Sequence, residues 1–223
     1  MPPTYVALLR GINVGGKNRV PMRELEEVFV EAGCRDVRTY IQSGNVLFSV
    51  DPPLAQSISA RLAAAIAERF GYEIPVLLRT GEQLRDVIRD NPFLEAGAPE
   101  NALHILFLAG LPEPDRVAAL DPDRSRPDAF VVRGQEVYLW LPNGVARTRL
   151  TTDHFDSKLA TTSTGRNWRT VVKLFELMQE ELASEQRWRG VLDGSADALA
   201  RLADEAAAEY REGRTRPLDP DRL

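Results

Sequence analysis

The chain has 223 residues, is 43% hydrophobic and 27% charged, and carries a net charge of −5, an ordinary soluble globular composition. That length suits one large domain or two small ones, at roughly 100–200 residues per domain. The charge excludes a nucleic-acid-binding field over the whole molecule, no apolar run approaches the roughly 18 residues of a membrane span, and the lone Cys34 excludes an internal disulfide.

Tyr5-Val-Ala-Leu-Leu9 is a continuous apolar run, as in a strand buried on both faces. Arg10-Gly-Ile-Asn-Val-Gly-Gly-Lys-Asn-Arg-Val-Pro21 follows, with no acid before Glu24. Pro21 opens a helix whose Met22, Leu25, Val28, Phe29 and Ala32 recur at helical spacing, and Gly33 ends it. Val37–Ile41 and Val46–Val50 form a hairpin around Gln42-Ser-Gly-Asn45. Asp51 caps a helix begun by Pro52, with Leu54, Ile58, Leu62, Ile66 and Phe70 on one face and Gly71 at its end. Ile74–Leu78 is a fourth strand, and Thr80-Gly-Glu-Gln83 fits a capping box for a further helix. The order βαββαβ is the split ferredoxin-like unit.

The order recurs from Leu103 to Leu108, through a short helix at Pro114–Leu120 and a hairpin of Ala129–Val132 and Val137–Leu141. Asp153–Leu159 is helix-compatible, and Thr164-Gly-Arg-Asn-Trp168 opens a strong helix with Thr164 as its cap. Set against Thr80-Gly-Glu-Gln-Leu84, this window matches Thr164 to Thr80 and Trp168 to Leu84, which suggests duplication. Ser195 to Gly213 reads as a separate amphipathic helix with Leu199, Leu202, Ala206 and Tyr210 as its stripe. The expected class is α+β: two tandem ferredoxin-like halves, residues 1–92 and 100–183, each followed by a helix, then a C-terminal amphipathic helix and tail at 184–223.

Leu9-Arg-Gly-Ile-Asn-Val-Gly-Gly-Lys-Asn18, Tyr40-Ile-Gln-Ser-Gly-Asn-Val46 and Arg166-Asn-Trp-Arg-Thr-Val-Val-Lys-Leu174 together resemble a bacterial family catalogued as domain of unknown function 1697 (DUF1697). The resemblance runs from about Tyr5 to Leu177. It implies two ferredoxin-like halves and no established activity, cofactor or substrate.

Gly11-Ile-Asn-Val-Gly-Gly-Lys17 completes the glycine and lysine spacing of a P-loop, but Asn18 stands where Ser or Thr would hold Mg²⁺. Arg19-Val-Pro21 also separates the lysine from the helix start. Nucleotide hydrolysis is therefore disfavoured, and anion binding without hydrolysis is the leading expectation. With strand order 4-1-3-2, the loop and the first hairpin turn lie at one end of the sheet. Arg10, Asn13, Gly15, Gly16, Lys17, Asn18, Gln42, Ser43 and Asn45 then form the candidate ligand edge, and Arg166 and Asn167, read at a helix start, form a second candidate. The competing reading is that these amides and hydroxyls cap one another and hold the turn.

The leading function is a non-catalytic binder of an anionic small molecule or nucleic acid, with no cofactor, no metal, no membrane and no indicated homo-oligomer. A small-molecule transferase using the same loop, and an interaction protein docking through its last helix, are the alternatives. RNA recognition on a ferredoxin-like sheet is disfavoured because Gln135 and Val137 stand where bases should stack. Asp153-His-Phe-Asp156 has no recognised metal spacing, and His104 sits in mid-strand. A reducing cytoplasm is the expected setting, with no signal peptide in the first residues, and Cys34 is expected to be a structural thiol.

Overall fold

In the computed structural model, the backbone is described for residues 3–211, and the side chains there except those of residues 185, 186, 188–206 and 209. The first half runs β1 (Thr4–Leu9), α1 (Met22–Glu31), β2 (Arg35–Tyr40), β3 (Asn45–Ser49), α2 (Pro52–Phe70), β4 (Val76–Thr80), α3 (Gly81–Arg89) and the short α4 (Pro92–Glu95). The second runs β5 (Leu103–Leu108), α5 (Pro114–Ala118), β6 (Ala129–Arg133), β7 (Glu136–Trp140), α6 (Thr152–Leu159), β8 (Ser163–Asn167) and α7 (Trp168–Arg211). Two four-stranded antiparallel sheets result, ordered β2-β3-β1-β4 and β6-β7-β5-β8. These are two tandem ferredoxin-like halves. The chain separates into two units, Met1–Met178, which holds both sheets, and Gln179–Leu223, which is helical through Arg211.

Local sequence chemistry accounts for most element ends. Gly33 and Gly71 take positive φ at the ends of α1 and α2, where a Cβ would be strained. The capping box at Thr80 is complete, Gln83 N donating to Thr80 Oγ1 at 3.2 Å and Thr80 N to Gln83 Oε1 at 2.8 Å. Asp51 stands at the N-cap of α2 with Pro52 behind it, yet makes no side-chain cap bond. Its carboxylate goes to Arg35 instead. A full charge on the neighbouring strand wins over the backbone N–H.

Strand side chains divide by parity between two layers. On β1, Ala7 and Leu9 face α1 and α2, meeting Leu25, Phe29, Ile58, Leu62 and Ile66 in one apolar cluster. Val6 and Leu8 face the other way, into a cluster shared by both sheets with Ile105, Phe107, Tyr138, Leu84, Trp168 and Val171. Val6 through Leu9 are all 0% exposed, which is why the run is apolar without alternation. The second half has its own smaller cluster, in which Leu106, Leu108 and Leu139 meet Phe155 and Leu159 of α6.

Two expectations change. Ser163–Asn167 is a strand, not a helix start: it pairs antiparallel with His104–Leu108 of β5, and α7 opens at Trp168. Asn167, not Thr164, supplies the cap, its Oδ1 accepting from Thr170 N at 2.8 Å. Central β5 needs a partner for its second edge, and that non-local ladder overrides the local Thr-Gly-x-x helix signal. Thr80 therefore corresponds structurally to Asn167, and Arg79 to Arg166. The second change lies at Ser195, where α7 runs through without a new helix opening. Of the stripe expected there, Tyr210 is 75% exposed, while the side chains of Leu199, Leu202 and Ala206, together with Gly213 and the tail, lie outside the described residues.

Candidate functional site

The Gly-rich stretch leaves β1 and turns back on itself as a miniature hairpin. Lys17 N donates to Val14 O at 3.0 Å and Asn13 N to Asn18 O at 3.1 Å. Gly15 and Gly16 between them both have positive φ, 58° and 76°, the signature of a type I′ turn. Asn13 and Asn18 also sit at positive φ, a conformation their short polar side chains tolerate. The glycines thus serve hairpin geometry, and Val20 and Pro21 lie between this turn and α1.

The asparagines anchor the hairpin base. Asn13 Nδ2 donates to Val20 O at 2.9 Å and to Gln42 O at 3.0 Å, and its Oδ1 accepts from Val20 N at 2.9 Å. Asn18 Nδ2 donates to Gly11 O at 3.2 Å. In the neighbouring turn, Asn45, 0% exposed, donates to Tyr40 O at 3.2 Å and to Ser43 Oγ at 2.9 Å. Leu9 N donates to Gly44 O at 2.8 Å, joining the end of β1 to that turn. The loop and the first hairpin are brought together as the strand order requires.

The basic residues divide sharply. Arg10 crosses to the second half, donating to Asp153 at 2.7 Å and to Asp156, so the acidic run around His154 serves as its counter-charge. Asp156 also accepts from Ser163 Oγ at 2.6 Å. Arg166 enters beneath the first-half hairpin. Its five N–H donors reach Asn45 Oδ1 (2.5 Å), Thr164 Oγ1 (2.9 Å), Gly165 O (2.7 Å), Leu9 O (2.9 Å) and Gly44 O (3.1 Å). None of these partners is a carboxylate, and burial pushes the Arg166 pKa down to about 10, still far above neutrality. Asn167 points the other way, exposed, at the start of α7. Lys17 and Arg19 remain exposed and without an ion-pair partner among the described residues. Val14 and Ile41, 63% and 51% exposed, stand on the same edge, one in each turn.

Sequence reasoning missed the counterpart of Arg166. Arg79, on β4, is 4% exposed and donates to Leu108 O (2.8 Å), Gln135 O (3.2 Å) and Glu136 Oε1 (3.0 Å) of the second half, and to Leu78 O (2.8 Å) of its own strand. Its guanidinium also lies 5.3 Å from the centre of the Phe107 ring. Burial lowers the Arg79 pKa and raises that of Glu136, in each case more than the ion pair opposes. The available signal was an arginine one residue before the helix cap in both halves, Arg79-Thr80 and Arg166-Asn167.

Other candidate chemistry is structural. Cys34 is 4% exposed, and burial raises its thiol pKa to about 11, so it is no thiolate at neutral pH. Among the described residues, no group of three or more acidic, histidine or cysteine side chains could hold a metal, and no helix is long and apolar enough to cross a membrane.

No curated protein matches the chain. Among solved structures, a conserved bacterial protein, SP0830 from Streptococcus pneumoniae, superposes with a TM-score of 0.64 at 21% identity, covering 80% of this chain and 99% of that one. That likeness concerns the fold. The family profile described as "Protein of unknown function (DUF1697)" matches residues 3–138, a span that includes the Gly-rich hairpin, the 42–45 turn and Arg79. The chain belongs to the DUF1697 family.

Proposed function

We propose that the protein is a non-catalytic binder of a phosphate-bearing ligand, taken at the edge formed by the 13–18 hairpin and the 41–44 turn. One observation carries this reading: Arg10 is bound by acids and Arg166 by backbone, amide and hydroxyl oxygens, whereas Lys17 and Arg19 are exposed on a hairpin held at its base. Nothing lies within 4 Å of where a Cβ would stand on Gly15 or Gly16, so an anion can approach the turn closely. Arg10, Asn13, Asn18, Ser43, Asn45 and Arg166 then position the edge, and Lys17, Arg19 and Gln42 meet the ligand. Exposed Val14 and Ile41 favour a nucleic-acid strand over a free phosphate metabolite, because they offer aliphatic surface to sugars and bases beside the charges.

The test is fluorescence anisotropy with a labelled single-stranded oligonucleotide, alongside nucleotides and inorganic pyrophosphate. Binding that weakens with salt and is lost in the Lys17→Ala, Arg19→Ala double variant is expected. Arg10→Met should lower the melting temperature while leaving affinity at 25 °C within about twofold, since its charge is already neutralised. A flat response to every phosphate, or equal affinity in the double variant, overturns the reading.

A further inference from the structure

The outer face of the second sheet carries an open cleft of about 400 Å³, a volume within the usual range for small-molecule sites. Its counterpart on the first sheet is filled. There α2, with 19 residues, is about 28 Å long, and its Ile58, Leu62 and Ile66 pack on Ala7, Leu9, Val46 and Phe48. The equivalent crossover in the second half, α6, has 8 residues and is about 12 Å long. It covers Leu106 and Leu139 from one side only, through Phe155 and Leu159. The cleft is the remainder of that sheet face, walled by the segment between β7 and α6.

The lining chemistry is selective. Leu106, Leu139 and Gly165 make the floor, and Gly165 keeps it low: a Cβ there would stand 3.1 Å from Leu106 Cδ2. No acidic residue lines the cleft, and the one cation, Arg166, has all five N–H donors engaged, three by the first half and two by Thr164 and Gly165 of its own strand. Three rim oxygens each already accept one backbone hydrogen bond: Thr148 Oγ1 from Leu150 N, Thr151 Oγ1 from His154 N, and Asn167 Oδ1 from Thr170 N. The two hydroxyls and the Asn167 amide still have hydrogens to donate into the cleft. His104 lines the same wall, with its Nδ1 shielded from solvent and lacking a hydrogen-bond partner.

The geometry points to a binding site on the second sheet for an uncharged, largely apolar small molecule that carries a carbonyl oxygen. The apolar body covers Leu106 and Leu139, and the carbonyl accepts from the Thr148, Thr151 or Asn167 donors. A phosphate finds no free cation there, so this site and the hairpin edge take different ligands.

The probe is the uncharged naphthyl ketone dye Prodan, titrated against the full chain by fluorescence. Blue-shifted emission saturating at one equivalent is expected, and Thr152→Trp or Val145→Trp, each placing a large ring at a lining position, should each weaken binding at least about tenfold. Either plug counts if its melting temperature matches wild type, so a misfolded variant does not decide the matter. The Lys17→Ala, Arg19→Ala variant should bind Prodan as wild type does. Emission that fails to saturate, or a folded plug variant with unchanged affinity, overturns the proposal.

Discussion

Arg79 and Arg166 hold the two halves together by the same set of bonds, exchanged. Arg79 stands opposite Val6 of β1 and Arg166 opposite Ile105 of β5, each the third residue of its central strand. From Arg79, the guanidinium reaches Leu108 O at the end of β5 and Gln135 O in the second hairpin. From Arg166, it reaches Leu9 O at the end of β1 and Gly44 O in the first. Each Nε takes a side-chain oxygen just past that turn, Glu136 in one case and Asn45 in the other. The reciprocity is a local twofold relation, and it makes the strand-end arginines the hinge pins of the duplicated fold.

The difference between Glu136 and Asn45 gives the first prediction. An amide already suffices at Asn45, so Glu136→Gln should change stability by no more than about 1 kcal/mol, because the Nε bond keeps an acceptor. Arg79→Met leaves a half-buried carboxylate unpaired and should cost about 3–5 kcal/mol. Arg166→Met strands the Asn45 oxygen, which loses its one donor among the described residues, and should cost about 2–4 kcal/mol. Urea unfolding midpoints measure all three. If Glu136→Gln proves as damaging as Arg79→Met, charge rather than hydrogen-bond geometry holds that side.

Glycines of similar φ should respond differently. Gly44 lies at φ +75°, and a Cβ there would stand 2.8 Å from Leu9 Cβ and 3.0 Å from Ile12 Cγ1. Gly44→Ala therefore adds overpacking of about 1–3 kcal/mol to the left-handed strain. Gly15→Ala and Gly16→Ala meet open space and bear only that strain, about 1–2 kcal/mol each. Thermal midpoints should fall furthest for Gly44→Ala. Equal shifts at the three sites would remove the close-approach argument.

His104 should tilt the acid limb of the stability curve. Burial holds its pKa below 6.5, against a weaker opposite pull from the Ala102 carbonyl. A depressed folded value means the unfolded chain takes up the proton first. The stability from neutral His104 is complete above the unfolded value of 6.5 and is lost as pH falls through the folded value. His154 is depressed in the same sense, by burial and then by Arg124 and Lys158, so the comparison belongs in a His154→Gln background. Glu136 acts oppositely: its raised pKa favours the fold at acid pH, an advantage lost as pH rises through its folded value. His104→Leu should flatten the slope below pH 6.5 in urea titrations, and an unchanged slope would rule His104 out as its source.

Local chemistry and the order of elements are legible in the chain before it folds. Apolar Val6–Leu9, the glycines at 33 and 71, the capping box at Thr80 and Gln83, and the turn at 42–45 are read within a few residues of where they act, and they suffice for the first ferredoxin-like half; the recurring element order supplies the second. The meeting of the Gly-rich loop with that turn followed from strand order alone. The rest waits on the folded chain, because the partners that settle it are remote. Arg10 and Asp156 are 146 residues apart, and Arg166 and Leu9 157. Arg166 sits on a strand because β5 requires a neighbour there, and no window around Thr164 contains that requirement. The short reach of α6 is visible in the sequence, but the cleft it leaves exists only once the sheet beneath it has formed.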